Sequence, residues 1–263
     1  MSMAKKASYK NILSSIGKLK AQEHVEVFIP STGLSASFSP MTVKQQKDIL
    51  ASGVDANVEN LSFMNMMSDI VLDTNVTGAP TLAVDRSAIA LQLRRQAIGN
   101  TLTVEIDNEK YTINIDEHIS DLKNKSYAPP DPFTVYHESI QLDCAPPDIH
   151  LDKRYNKQFT KRVQKGSKKA LKPTDVIGDV YVSELVKWIR SITIGDETVI
   201  AEESATISNM VEIFENLPLQ VSSKLAESVK EARSSEIASM SNKILPEGEA
   251  IPLSASLFTP STE

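Results

Sequence analysis

Residues 101–115 have the sequence TLTVEIDNEKYTINI, and this stretch carries the clearest strand pattern in the chain. Apolar residues occupy every second position in both of its halves: Leu102, Val104, Ile106, Tyr111, Ile113 and Ile115. Such alternation gives a strand one apolar face. Because Asp107-Asn108-Glu109 forms a short polar connection between the halves, the sequence predicts a β-hairpin with strands at 101–106 and 110–115.

Two other stretches show the same alternation. VEVFI (25–29) and LSASFS (34–39) flank Pro30-Ser31-Thr32-Gly33, and this predicts a second hairpin. FTVYHESIQLDC (133–144) lies among five prolines, which favours an edge strand or an extended arm.

Helical spacing and capping residues predict helices between and after these strands. The predicted helices are 42–54 with a capping box at Thr42 and Gln45, 60–73, 85–98 capped by Asp85, a helix from Asp179 through Trp188, Ile189 and Ile192, one starting at Ser204 or Thr206, and 219–238 after Pro218. We expect an α+β fold, with N-terminal β-hairpins and helices, a basic linker and a C-terminal α-helical region. Apolar faces around Trp188, Ile189, Phe214 and Leu217 are expected to pack in the protein's own core.

The charge distribution suggests the domain organisation. The net charge of −6 divides into −6 for residues 1–152, +9 for 153–173 and −9 for 174–263. We therefore predict an N-terminal tail (1–24), an α+β domain (25–152), a flexible basic linker (153–173) and a helical domain with an extended C-terminal tail (174–263). The apolar residues of the N-terminal segment have helical spacing, so it is either a frayed tail, which we favour, or a helix that orders on a partner.

The composition argues against several classes of protein. The chain of 263 residues has a single Cys, no apolar run of membrane-spanning length and no signal-peptide pattern at its N-terminus. One Cys cannot form an internal disulfide, which suggests a reducing compartment. The nine glycines all lie more than ten residues apart, so dinucleotide-binding, P-loop and nucleophile-elbow motifs are missing from the sequence. We expect no enzymatic activity and no cofactor.

His137, Cys144 and His150 form the one grouping that resembles a metal site, with Asp143, Asp148 and Asp152 nearby. Their spacing is irregular and prolines interrupt the segment. We favour surface residues on an edge strand, with Cys144 as a small buried apolar residue, over a metal site or a Cys-His nucleophile.

The basic segment allows two interpretations. Nine Lys and Arg residues between 153 and 173 could neutralise phosphates, and Tyr155 and Phe159 could stack on bases. The flanking sequence is acidic and lacks a nucleic-acid-binding signature, so we favour a solvated linker or a segment that meets acidic protein surfaces. The hairpin edge, this segment and the apolar C-terminal tail are the candidate partner contacts. The residues chosen from the last two are Lys161, Arg162, Lys165, Lys168, Lys169, Ile251, Leu253, Leu257 and Phe258.

Four segments together resemble a known protein family. They are VEVFIPSTGLSASFSPMTVKQQKDIL (25–50), DRSAIALQLRRQAIG (85–99), IGDVYVSELVKWIRSITI (177–194) and MVEIFENLP (210–218). This pattern of strand, capped helix and ENLP helix break is similar to that of baseplate hub proteins of T-even-type contractile-tailed phages (myoviruses). It covers about three quarters of the chain and contains no catalytic motif.

The resemblance implies a structural protein or assembly chaperone of the phage tail baseplate hub, acting by protein–protein binding in a hetero-oligomeric assembly. Partners would be other hub or tail proteins, with neither a membrane nor a metal involved. The location would be the host bacterial cytoplasm during assembly, and the virion tail baseplate if the protein is a hub subunit. The alternative function is a nucleic-acid-binding accessory protein that uses residues 153–173.

Overall fold

Short antiparallel strands alternate with helices, which confirms the α+β class. The computed structural model describes residues 9–20, 23–52, 59–125, 130–166, 173–203 and 205–259. The helices are α1 (Tyr9–Lys20), α2 (Val43–Ser52), α3 (Glu59–Thr74), α4 (Arg86–Ile98), α5 (Ile115–Asn124), α6 (Ile149–Gly166), α7 (Pro173–Val186), α8 (Ile207–Glu215) and α9 (Leu219–Met240), with 3-10 turns at Ala83–Asp85 and Ala255–Phe258. The strands are β1 (Val25–Ile29), β2 (Leu34–Phe38), β3 (Thr101–Ile106), β4 (Glu109–Asn114), β5 (Phe133–His137), β6 (Ile140–Cys144), β7 (Ile189–Ile194) and β8 (Glu197–Ile200).

Both predicted N-terminal hairpins are present. β1 pairs with β2, and β3 pairs with β4 through a two-residue turn. Asp107 and Asn108 adopt φ values of 51° and 64° in that turn, the backbone conformation that matches the twist of a tight hairpin. Strand β4 ends one residue earlier than predicted because the Asn114 side chain accepts a hydrogen bond from the Glu117 amide and caps α5, a helix that the sequence patterns did not predict.

The remaining four strands form one antiparallel sheet in the order β5-β6-β7-β8. The segment 133–144, expected as an edge strand or extended arm, forms two strands: β5 lies at an edge, whereas β6 lies inside the sheet between β5 and β7. The predicted helix through Trp188 to Ile192 is wrong, since Ile189 and Ile192 belong to β7. The register between β6 and β7 shifts at Asp143 and Cys144, so one extra residue separates the two buried isoleucines. This bulge produces a three-residue spacing that resembles helical periodicity.

The first hydrophobic core collects side chains from β1 to α5 and from the end of the chain. Ile29, Ile89 and Ile113 are among its fully buried members. Met240, Leu245, Ile251, Leu257 and Phe258 complete the same core from the C-terminal side.

The second core lies between the four-stranded sheet and helices α6 to α9. Trp188, Ile189 and Phe214 are buried there, with Leu217 packed against them, as predicted for these residues. Strands β5 and β6 contribute Val135 and Leu142, so this core cuts across the predicted division between residues 25–152 and 174–263.

Residues 153–166 of the predicted linker are helical. They belong to α6, whose Leu151, Tyr155 and Phe159 are spaced four residues apart and are buried. The charge density of this segment indicated a solvated linker, but the basic residues occupy only part of the surface of an amphipathic helix. Residues 167–172 lie outside the described residues.

Helix starts were predicted with mixed success. Thr42 and Gln45 form the expected reciprocal cap, and Thr206 and Pro218 precede α8 and α9 as predicted. Asp179 lies within α7 and does not cap it. Asp85 does not cap α4 with its side chain, because its carboxylate accepts hydrogen bonds from Ser31 and from the Leu82 amide.

A buried carboxylate joins the elements of the two cores. Asp152 on α6 has no solvent exposure and pairs with Arg86 of α4 and with Lys187, which donates at 2.6 Å. Arg86 also donates to Ser68 on α3 at 2.9 Å. Burial opposes ionisation of Asp152, but the attraction of Arg86 and Lys187 outweighs it and holds the pKa of the carboxyl well below its usual range.

Replacing Asp152→Asn should lower the free energy of unfolding by about 3–5 kcal/mol, because the buried Arg86 loses its counter-charge and Lys187 keeps only that of Glu184. Asp116→Asn is the control, since Asp116 pairs with Arg95 at the surface and such a pair contributes at most about 1 kcal/mol. Urea titrations followed by circular dichroism measure both. Equal losses in the two variants would contradict the role given to Asp152.

His118 on α5 joins the first core to the end of α9. Its Nε2 lies 3.0 Å from the Ser239 carbonyl oxygen, and its Nδ1 lies 3.2 Å from Asn242 Nδ2. Because the carbonyl can only accept and the amide nitrogen can only donate, this pair of contacts suits the neutral ring protonated at Nε2. Burial lowers the pKa of His118 below its ordinary value of 6.5.

Protonation of His118 should therefore favour the unfolded chain. As the pH falls below about 6.5 the unfolded state binds a proton that the folded state excludes, so stability should decline by up to about 1.4 kcal/mol per pH unit. Unfolding titrations between pH 7.5 and 5.5 should show a smaller decline for His118→Gln. The exposed His24 provides the control, and His24→Gln should keep the wild-type slope. Parallel slopes for wild type and His118→Gln would refute this account.

Candidate partner-binding surface

The outward surface of α6 carries a basic stripe. Arg154, Lys157 and Lys161 are exposed and follow one another at intervals of three and four residues, which places them on one side of the helix. The opposite side is buried at Tyr155, which belongs to the second core, and at Phe159. The stripe is therefore held on a rigid element.

The first two basic residues of α6 are neutralised within the chain. Lys153 pairs with Asp69 of α3, and Arg154 pairs with Glu202 in the loop after β8. Lys157 and Lys161 have no ion pair among the residues that the structure describes. Among the α6 cations whose side chains are described, these two remain available for an external group.

These cations border an open cleft of about 780 Å³ between α6 and the start of α8. Glu202 and Glu203 line it from the loop after β8, and the Gln158 side chain donates to the Ser208 hydroxyl between α6 and α8. Its lining residues are Arg154, Lys157, Gln158, Lys161, Glu202, Glu203, Ala205, Thr206, Ile207, Ser208 and Asn209. The cleft offers polar and charged contacts with a few aliphatic ones.

The structure describes less of the other basic residues that were predicted to bind partners. Arg162 and Lys165 belong to the last turns of α6, and their side chains are outside the described set. Lys168 and Lys169 lie outside the described residues altogether. Their role in partner binding stays a prediction.

The C-terminal tail does not present the predicted apolar surface. Ile251, Leu257 and Phe258 are buried in the first core, and Leu253 is half-buried against it. Side-chain donors also hold backbone carbonyls of the tail on its own chain, since Arg94 Nε donates to the Leu257 carbonyl at 2.9 Å and Gln46 Nε2 donates to that of Phe258. The side chains of Ile251, Leu257 and Phe258 therefore pack inside the protein and do not face a partner.

The edges of the first hairpin are also engaged. The Gln92 side chain exchanges two 2.8 Å hydrogen bonds with the backbone of Phe28, which occupies the outer edge of β1. The Val76 amide donates to the Ser37 carbonyl on the outer edge of β2. Each edge of this hairpin is thus engaged by its own chain at one residue, Phe28 on β1 and Ser37 on β2.

His137, Cys144 and His150 do not converge. Within the described residues, no three His, Cys, Asp or Glu side chains come together in a way that could hold a metal ion. Cys144 is buried in the second core, and burial raises the pKa of its thiol to about 12. Neighbouring Asp143 adds to this shift.

Among the described residues, no helix is both long enough and apolar enough to span a lipid bilayer.

The buried charged cluster of Asp152, Arg86 and Lys187 was not predicted from the sequence. Its members are 66 and 35 residues apart along the chain, and no local pattern relates them. The amphipathic nature of α6, in contrast, was recoverable from Leu151, Tyr155 and Phe159 at four-residue spacing.

The Cys144 thiol should be unreactive in the folded protein. A thiol-specific reagent such as 5,5′-dithiobis(2-nitrobenzoate) reacts with the thiolate, which is negligible at pH 8 when the pKa is about 12. We expect labelling in the native state to be at least about a hundredfold slower than in 6 M guanidinium chloride. Comparable labelling rates in the two conditions would show that Cys144 is accessible.

The comparisons with known proteins give one family. A family model described as T4 bacteriophage base plate protein matches residues 21–242, which is most of the chain and includes α6, the cleft, the second core and the part of the first core that precedes residue 243. Comparison with curated proteins and with solved structures gives no match. The extent of the family match shows that the chain belongs to the T4 bacteriophage base plate protein family.

Proposed function

We propose that this protein is a structural or assembly component of the phage tail baseplate hub and acts by binding other tail proteins. The observation that carries the proposal is the match to the base plate family over residues 21–242. The assignment to the hub rests on the resemblance of the four segments within residues 25–218 described above. It acts in the cytoplasm of the infected bacterium while tails are being assembled.

Helix α1 supports a binding function. Tyr9, Ile12, Leu13 and Ile16 are 47–77% exposed, although large apolar side chains are normally covered when they cluster on one helix. A helix of 12 residues gains little stability from its own hydrogen bonds. Burial against another protein would stabilise both the helix and the contact, as expected for a component of an assembly.

The nucleic-acid alternative loses its main support in the structure. Tyr155 and Phe159, the residues that could have stacked on bases, are 3% and 4% exposed. Glu202 and Glu203 also interrupt the positive surface beside α6. We do not propose this function.

Co-isolation from infected cells tests the proposal. Affinity-tagged protein expressed in cells infected with the parent phage should recover baseplate proteins, identified by mass spectrometry. The α1 variant Ile12→Ser/Leu13→Ser/Ile16→Ser should reduce that recovery at least about tenfold, because about half of each side chain is free to be buried by a partner.

The matched control is Leu34→Ser/Val43→Ser/Leu219→Ser, which removes three exposed apolar side chains outside α1 and should leave recovery unchanged. Failure of the wild-type protein to recover any baseplate protein would refute the proposed function. Quantitative mass spectrometry of purified virions separates the two forms of it. A hub subunit is retained in virions, and an assembly chaperone is recovered from extracts only.

A further inference from the structure

We propose that the cleft between α6 and α8 binds an acidic segment of a partner protein, with Lys157 and Lys161 as the recognising cations. The inference rests on the proposed function and names the chemistry of one partner contact. It starts from the fact that both lysines border the cleft, are exposed and have no ion pair among the described residues.

The cleft already binds a carboxylate of its own chain. Glu202 reaches across from the loop after β8 and pairs with Arg154, one turn of α6 before Lys157. Glu202 adopts a φ of 71°, a left-handed conformation that non-glycine residues rarely occupy. The loop after β8 thus supplies a carboxylate to the first cation of the stripe, and the next two cations have no such pair among the residues that the structure describes.

The spacing of the free cations suits a polypeptide. Lys157 and Lys161 are four residues apart on a helix, which separates them by about 6 Å along its axis. Alternate side chains of an extended chain repeat at about 6.6–6.8 Å on one face. A segment with Asp or Glu at every second position could place successive carboxylates on the two lysines.

The surroundings of the lysines favour a protein over a nucleic acid. Glu202 and Glu203 in the lining of the cleft would repel a continuous row of phosphates, whereas a peptide can present uncharged residues there. Ala205 and Ile207 provide aliphatic surface for such residues. The aromatic side chains of α6 that could stack on bases are buried.

The test is fluorescence anisotropy of defined probes with the full-length protein at 20 mM and 150 mM salt. The acidic probe is a fluorescein-labelled peptide of alternating Glu and Ser, twelve residues long. The same peptide with Gln for Glu controls for charge, and a single-stranded 20-mer DNA controls for nucleic-acid binding. We expect binding of the acidic peptide at low salt, weaker binding at 150 mM salt and none of the Gln peptide.

Two charge-reversal variants localise the binding. Lys157→Glu/Lys161→Glu should weaken the binding of the acidic peptide at least about tenfold. Lys44→Glu/Lys47→Glu makes the same change of net charge on two exposed lysines of α2 and should stay within about twofold of wild type. Because all four side chains are exposed, both variants should fold, which circular dichroism verifies.

Several results would overturn the inference. Equal weakening of peptide binding in the two variants would mean that only the net charge of the protein matters. Absence of peptide binding would show that the cleft does not bind acidic segments. Tighter binding of DNA than of the acidic peptide would assign the cleft to nucleic acid. Concentration-dependent dimerisation abolished by Lys157→Glu/Lys161→Glu would assign it to a second copy of the chain. If baseplate proteins are still recovered from infected cells in any of these cases, the proposed function stands and only the cleft is excluded.

Discussion

The Asp152 carboxylate lies where the two hydrophobic cores meet, and water does not reach it. A charge in such a place is tolerated only when counter-charges and hydrogen bonds replace its hydration. Arg86 supplies one partner from α4, Lys187 supplies another from the position directly after α7, and Asn156 donates a further hydrogen bond at 3.1 Å. The relative placement of these helices is therefore restricted to arrangements that keep the three groups together. This buried contact fixes the position of α6 and therefore also the position of the basic stripe on its outer side.

How far the sequence predicted the fold depended on the range of the interactions involved. The hairpin at residues 101–114 was predicted closely, because alternation and turn conformation are local properties. Strand β7 was mistaken for a helix, since its bulge arises from pairing with β6 about 45 residues earlier. The linker prediction failed at α6 for a different reason. Charge density dominated the interpretation there, although Leu151, Tyr155 and Phe159 have the four-residue spacing of the buried face of a helix.

The candidate site was predictable in part. Lys161 was chosen from the density of basic residues, and it does border the cleft. The acidic part of the lining could not have been found in this way, because Glu202 and Glu203 reach the cleft through the folding of the second core. The C-terminal tail was chosen as a partner contact because it is apolar, but its apolar side chains pack in the first core. From sequence alone, an apolar segment can pack in its own protein's core or against a partner. Here the Arg94 and Gln46 side chains hold the tail on its own chain by hydrogen bonds.

The return of residues 240–258 to the first core also has a consequence for biosynthesis. Strand β1 and helix α4 leave the ribosome long before Ile251, Leu257 and Phe258 are made. At bacterial rates of about 5–20 residues per second, the apolar surface that these residues cover stays open for about 10–40 s. The first core therefore stays incomplete until residues 240–258 have been synthesised. A nascent chain interrupted before residue 240 would leave the apolar surface that these residues cover exposed to water.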